Sequence, residues 1–411
     1  MAIAIDRTEP AGTAADEGRV PLLMLIVLMS GGVLATITFT TVTPSLPAMA
    51  EHFGAQGYGI LGTQQILTMA PAGMAIGGPL AGWIGYRLGL RRQLIAGLLL
   101  YGLAGLGTLV LDQLAAFLVV RFVLGFASVN IDTAMTSILG ARFSGARRAR
   151  LVGIRSGISS TGTMASVLLA GRISQDYGWR APFWLYLLAF VVAGLTILAF
   201  REPLARPARQ TGGWLSTILS LWPIYVLAML LSVAHAMPSF QMGFLLKEDG
   251  LVSPFNLSLV LALSSIVGII GSFSFGWFYN RLKRSTIVMT MALMAAGYIV
   301  IGLFHLIPTE IAGIVIAGFG AGFTIPYLVA RVLDEASAES RTRAVGFVLS
   351  FMFAGHVLNP FFSRAVRTNL GNHAIFMTTG LLLGVAALAI GLWYGAAQWR
   401  GARALAVEEA E

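Results

Sequence analysis

Arg121, Asp132 and Arg155 are charges set within or at the edge of long apolar runs, and their spacing permits proton chemistry. A charge in mid-membrane costs at least ~2.5–3.5 kcal/mol on insertion scales, so such a residue faces a cavity or a partner. Asp132 follows Arg121 on the same run. At about 100° per residue, their separation returns to within about 20° of one helix face, with a rise of about 16 Å. They share a stripe without pairing and mark two stations on one water-accessible path, with Asn130 near the stripe. Arg155 sits about one turn into the next run, which doubles back from a turn near Ala146. A long guanidinium there reaches Asp132. Such a pair either gains and loses a proton during a cycle or holds two helices together.

His235 precedes Pro238, where a helix bends. It titrates near neutrality as a free side chain, and a hydrogen bond between helices is its plainer use. Thr41, Gln64, Gln65, Asn130, Gln241, Tyr327, His356 and Asn359 are further polar groups inside apolar runs and are candidates to line a substrate cavity. The histidines (52, 235, 305, 356 and 373) are scattered along the chain, and no His-Glu or paired-carboxylate spacing accompanies them. The chain has no cysteine and no phosphate-binding G-x-x-x-x-G-K-[ST] loop. No metal, cofactor, ATP coupling or enzymatic chemistry is expected.

The elements that must hold these residues are membrane helices. The chain is 57% hydrophobic and 11% charged, about half the charged fraction usual in soluble domains. Twelve apolar runs long enough to cross the ~30 Å hydrocarbon layer lie at about 20–45, 59–84, 93–111, 114–140, 151–171, 182–200, 218–246, 257–279, 285–305, 309–331, 343–364 and 373–398. The halves repeat at a spacing of 193–194 residues. Gly82-Trp83 with Arg87-Leu88 recurs as Gly276-Trp277 with Arg281-Leu282, Pro44-Ser45 as Pro238-Ser239, and Gly178, Ala181 and Phe183 as Gly371, Ala374 and Phe376.

With both termini cytoplasmic, twenty basic residues fall inside and five outside, a strong positive-inside asymmetry. Topology thus accounts for the +9 net charge without nucleic-acid binding. The expected organisation is a tail at 1–19, a six-helix bundle at 20–200, a cytoplasmic linker at 201–213, a second six-helix bundle at 214–398 and a tail at 399–411. The third, sixth, ninth and twelfth spans carry no charge in their cores and are expected to face lipid.

Gly82-Trp83-Ile84-Gly85-Tyr86-Arg87-Leu88-Gly89-Leu90-Arg91-Arg92 resembles the G-x-L-A-D-R-x-G-R-[KR] signature of the major facilitator superfamily of secondary transporters, with Tyr86 in place of the Asp. The second half has Asn280 at that position and Lys283 at the second glycine. Arg121 to Gly125 resembles the family's R-x-x-x-G motif, Gly153 to Gly162 a span-5 antiporter motif without its proline, and Gly178-Trp179-Arg180 the entry to span 6. The resemblance implies an all-α fold of two pseudo-symmetric bundles. It also implies a cytoplasmic latch of Gly82, Arg87, Gly89, Arg91, Arg92, Gly276 and Arg281, and proton coupling through Arg121.

The expectation is a multi-pass protein of a bacterial-type inner membrane, acting as a monomer on a small-molecule substrate. Protons are the coupling ion, with Arg121, Asp132, Arg155 and His235 the coupling candidates and Asp132 the single buried acid. The favoured activity is proton-coupled efflux of small amphipathic compounds by alternating access. The alternative is a symporter in which Arg121 or Arg155 meets the carboxylate of an organic anion.

Overall fold

The computed structural model describes residues 22–58, 60–143, 145–200, 213–251, 253–337 and 340–408. The expected amino-terminal tail and all of the linker except Gly213 lie outside them. Every regular element among the described residues is helical. The first half comprises α1 (Leu22–Thr40), α2 (Leu46–Gly54), α3 (Ile60–Leu88), α4 (Leu90–Val110), α5 (Leu114–Arg142), α6 (Gly145–Tyr177) and α7 (Leu188–Ala199). The second comprises α8 (Trp214–His235), α9 (Met237–Glu248), α10 (Pro254–Leu282), α11 (Thr286–Leu303), α12 (Ile307–Ala321), α13 (Thr324–Glu335), α14 (Arg341–Leu370) and α15 (Asn372–Glu408). Nine stretches among the described residues are long and apolar enough to cross a bilayer.

The repeat reappears in the backbone. Among the described residues, positive φ angles occur at Gly57, Gly89, Gly178, Gly250, Lys283 and Gly371. These fall into pairs, Gly57 with Gly250, Gly89 with Lys283 and Gly178 with Gly371, each at the spacing of the sequence repeat. At the tight turns after α3 and α10, Gly89 takes a φ of +83° and Lys283 one of +48°. The second half thus keeps the turn at a position where a side chain makes it unfavourable. Helix breaks repeat as well: α1 stops before Pro44, and α8 stops before Pro238, as expected beside His235.

One buried apolar cluster draws mainly on the first half, from Met24 to Phe200, and takes in Ala236, Phe240 and Phe244 of the second; the other draws mainly on the second half, from Leu221 to Ala387, and takes in Val167 of the first. Helix α3 packs on α14 and α6 packs on α10, joining the halves through two contacts that the repeat exchanges. Helices α4, α7, α11 and α15 expose large apolar side chains such as Leu103, Val191, Leu303 and Leu388. Between α11 and α15 runs a groove of about 470 Å³ lined by Val288, Ala295, Gly384 and Leu388. Such surfaces suit lipid. Helix α15 continues to Glu408, so the expected tail at 399–411 is helical over most of its length. Its Ala402, Ala404 and Ala406 favour that continuation.

Two ends of the bundle can be told apart. Arg87, Arg91, Arg281, Arg284 and Arg331 mark an arginine-rich end, where α3, α10 and α13 finish. The far end carries Glu51, Asp112, Arg180, Lys247 and Asp249.

Candidate functional site

Arg121 projects from α5 into the first half and is fully buried. Its Nε donates to Ile66 O at 3.1 Å, and its two terminal nitrogens donate to Thr38 O at 2.6 Å and Tyr186 Oη at 2.8 Å. Gly125, one turn on, allows this geometry: a Cβ there would strike the Ala70 backbone of α3. The R-x-x-x-G spacing therefore brings α5 against α3 and seats the guanidinium on α3's own carbonyl. Among the described residues no carboxylate pairs with Arg121. The expected cavity station is a sealed cation satisfied by neutral acceptors.

Thr41 also turns into this network. The Tyr186 hydroxyl receives Arg121 and lies 2.8 Å from Thr41 Oγ1, which in turn donates to Ile37 O at 2.9 Å. Tyr101 lies 3.1 Å from Thr38 Oγ1 and donates to Leu34 O. Asn130 is likewise internal, donating to Phe126 O at 2.8 Å and accepting from Gln93 Nε2 at 3.1 Å. Thr41 and Asn130 are thus both buried inside the first half. Each found a partner within its own half, which is what a buried amide or hydroxyl requires.

Asp132 and Arg155 pair as their opposed helices predict: Arg155 donates to Asp132 Oδ1 and to Thr136 Oγ1. The Asp132 side chain is 46% exposed and that of Arg155 13%. Gly31 of α1 faces the pair, where a Cβ would lie 2.9 Å from the guanidinium. Asp132 is not the single buried acid of the chain. Among the described residues that description fits Glu310, which is fully enclosed although it sits in the first turn of α12. Charge placement along an apolar run does not reveal which way an end residue turns.

The remaining candidates converge where the halves meet. Gln64 of α3 donates to Gln241 Oε1 of α9 at 2.9 Å, and Gln241 Nε2 donates to Asn359 Oδ1 of α14 at 2.8 Å. Asn359 Nδ2 continues to Val233 O at 2.8 Å, and Arg367 donates to Gln241 Oε1 from two turns further along α14. Gln65 lies half-buried beside this chain. Deeper in the bundle, the rings of His235 and His356 are parallel with centroids 6.3 Å apart. Phe39 of the first half, at 6.4 Å, and Phe240 and Phe353 of the second, at 6.4 and 6.0 Å, surround His356. Both ring nitrogens of His356 and Nδ1 of His235 are enclosed and have no hydrogen-bond partner among the described residues.

Tyr327 is excluded from this centre: it is buried near the arginine-rich end and donates to Arg284 O at 3.2 Å. At that end Arg87 lies over the Trp83 ring at 5.5 Å and Arg281 over Trp277 at 3.9 Å, repeat-related cation–π pairs. Gly82 and Gly276 border open space. Among the described residues, Arg87, Arg91, Arg92 and Arg281 have no acidic partner. Tyr86 and Asn280, standing where the family signature has an acid, account for that.

The sequence profile of the Major Facilitator Superfamily matches residues 28–246 and again 213–404. The chain belongs to the Major Facilitator Superfamily. It is a transporter with a multi-pass, all-helical fold and not an enzyme. This transporter is 25% identical over 359 residues to the tetracenomycin C resistance and export protein of Streptomyces glaucescens, covering 80% of this chain and 65% of that one. It thus spans just under two thirds of that relative. It is 21% identical over 374 residues to the multidrug resistance protein MdtG of Escherichia fergusonii, covering 87% and 91%. Its fold matches the solved nucleoside transporter NupG at a TM-score of 0.71 and 12% identity, over 90% of this chain and 99% of that one.

Tyr186, Phe39, Phe353 and Arg367 take part in these contacts, although the sequence did not single them out. Tyr186 sits in a 3-10 turn after Pro182 and carries no charge to draw notice. Arg367, two helical turns beyond Asn359, reads in sequence only as a topological charge. The histidines, scattered in sequence, meet as His235 with His356 and as His305 with His373.

Proposed function

We propose that the transporter exports small amphipathic compounds through a cavity between its two six-helix halves, residues 20–200 and 214–398, driven by protons and with the arginine-rich end cytoplasmic. The observation that carries this reading is the aromatic enclosure around His356. Phe39 from one half and Phe240 and Phe353 from the other supply apolar faces, and His356 and Nδ1 of His235 supply polar groups left unpaired among the described residues. Such a surface accepts an apolar molecule with one or two hydrogen-bonding groups. The export and resistance functions named for the two relatives support the direction.

The arginines weigh against the organic-anion alternative. Arg121 is fully engaged within the first half, and Arg155 is occupied by Asp132. Coupling is assigned to that pair. Protonation of half-exposed Asp132 would release Arg155 and let α5 and α6 move relative to α1, biasing one of two states. With the arginine-rich end taken as cytoplasmic, this reading makes the conformation inward-facing. Toward the far end the halves are joined by Glu51 with Lys247, Gln64 with Gln241 and Gln175 with Ser253. Toward the arginine-rich end, Ile154 and Ile158 are exposed and Gly157 and Gly346 border open space. Rocking of one half on the other exchanges the open side.

Proteoliposomes with an acidic lumen and an internal pH dye test this reading. Adding a cationic amphipathic drug is expected to draw protons out in wild type but not in Asp132→Asn, which still inserts and binds drug. Proton movement with organic acids and none with drugs would overturn it, as would normal concentrative transport by Asp132→Asn.

A further inference from the structure

Asp249, Glu310 and His373 converge at the far end of the second half, away from the substrate enclosure. Asp249 follows α9, Glu310 lies in the first turn of α12 and His373 in the first turn of α15. One ligand atom from each lies within 4.8 Å of the other two. His373 Nε2 is 3.1 Å from Asp249 Oδ2 and 3.3 Å from Glu310 Oε1.

Three observations make this more than a polar surface cluster. First, Glu310 is fully buried, and the side chains of His373 and Asp249 are only 13% and 15% exposed. Second, Glu310 Oε2 is an enclosed oxygen without a hydrogen-bond donor among the described residues, and Asp249 Oδ2 meets only the shared His373 Nε2. An imidazole nitrogen has one direction to offer, so His373 Nε2 leaves carboxylate oxygens over. Third, no lysine or arginine pairs with either acid among the described residues. The nearby Arg367 is committed to Gln241 and Asn372, and Asn372 to Glu248. Two adjoining buried carboxylates repel each other unless one keeps a proton or a positive species lies between them.

A divalent ion supplies that charge and uses the free oxygens. Imidazole nitrogen and carboxylate oxygen bind zinc tetrahedrally at about 2.0–2.2 Å, which sets neighbouring ligand atoms about 3.3–3.6 Å apart. The Glu310 separation from His373 Nε2 meets that interval, and the Asp249 one lies about 0.2 Å below it, within reach of a small side-chain adjustment. A nitrogen donor beside two carboxylates selects a transition-metal ion over magnesium or calcium, whose ligands are oxygen. His305 stacks on His373 with centroids 3.8 Å apart and is exposed at the start of the loop before α12. Rotation of its side chain, or a water, completes a four-ligand shell.

We propose that Asp249, Glu310 and His373 form a binding site for a divalent transition-metal ion of the zinc class, which clamps the far ends of α9, α12 and α15 together. Helix α9 also carries Gln241, so an ion here steadies the element through which the second half grips Gln64.

The test uses full-length protein purified in detergent without a polyhistidine tag, stripped with chelator and titrated with zinc against a chromophoric zinc indicator. Wild type is expected to take up one ion per chain and to gain thermal stability on doing so. Glu310→Gln, His373→Gln and Asp249→Asn are each expected to weaken binding about tenfold or more and to lose that zinc-dependent gain. If buried Glu310→Gln does not purify as a single species, the two less buried variants carry the decision. Absence of stoichiometric zinc uptake by folded wild type would overturn the proposal. So would uptake unchanged in both His373→Gln and Asp249→Asn, which would place the ion elsewhere.

Discussion

Gln64 of α3 and Gln241 of α9 are joined by a 2.9 Å hydrogen bond that crosses between the halves where both side chains are buried. Gln241 is held in turn by Asn359 and Arg367 of its own half, so its orientation is set before Gln64 arrives. Gln64 is the exchangeable partner: its own Oε1 has no donor among the described residues. The contact can therefore break without disturbing the second half.

Gln64→Leu should shift the transporter toward the state open at the far end. A net hydrogen bond is worth about 0.5–1.5 kcal/mol, or about a twofold to tenfold change in the population ratio. The chain has no cysteine, so Glu51→Cys and Lys247→Cys accept spin labels without background. Their distance distribution is expected to gain a longer component in Gln64→Leu. The labels replace the Glu51–Lys247 pair in both proteins, so an unchanged distribution would mean that apolar packing and the Gln175–Ser253 contact hold this end closed.

Arg121 is expected to act on stability before it acts on transport. Its planar fork serves three acceptors on α1, α3 and the turn before α7 at once, which a lysine ammonium on a flexible stem cannot reproduce. Arg121→Lys should lower the unfolding temperature in detergent by an amount equivalent to about 2–3 kcal/mol. Drug-dependent proton movement per folded molecule should be largely retained. Loss of coupling at unchanged stability would instead return Arg121 to the proton path.

What could be read from the chain was whatever depends on period and spacing. The duplication, the helix break beside Pro238 and the reach of Arg155 to Asp132 all follow from chain geometry, and the structure repeats them. Side-chain direction at mid-helix was not legible. Thr41, Asn130 and Gln64 look alike in sequence, yet the first two turn into their own bundle and the third crosses between halves. The choice depends on which neighbour leaves a donor or acceptor free, and that neighbour is Tyr186, Gln93 or Gln241, distant along the chain. The convergence of Asp249, Glu310 and His373 was hidden for the same reason. Three separate helix ends meet, and no local spacing records it.

Asp112 and Arg180 give the far end a pH-dependent fastening. The guanidinium beside Asp112 donates a hydrogen bond to it and holds its carboxyl below the usual aspartate range, with its charge adding to the effect. A carboxyl with a lowered pKa contributes stability above the ordinary aspartate value and loses it as pH falls through the lowered one. The gap in unfolding temperature between wild type and Arg180→Gln should therefore be widest near neutrality and close in strong acid. The pair is solvent-exposed, so the gap should be small and should shrink with added salt. A gap independent of pH would assign the effect to Arg180's stacking on Trp179, at 4.6 Å, and not to the ion pair.

His356 opposes stability and function most directly. Two enclosed ring nitrogens without partners destabilise the empty fold, since each unmade buried hydrogen bond costs about 1–3 kcal/mol. His356→Phe removes both while keeping a ring of similar size among Phe39, Phe240 and Phe353. The variant is expected to unfold at a higher temperature than wild type and to lose binding of drugs that carry a hydrogen-bonding group, while wholly apolar ligands bind about as before. Thermal unfolding with and without each class of ligand checks both halves of this expectation. If His356→Phe is instead less stable and binds every ligand equally weakly, the histidine is a packing element of α14 and the substrate enclosure lies elsewhere.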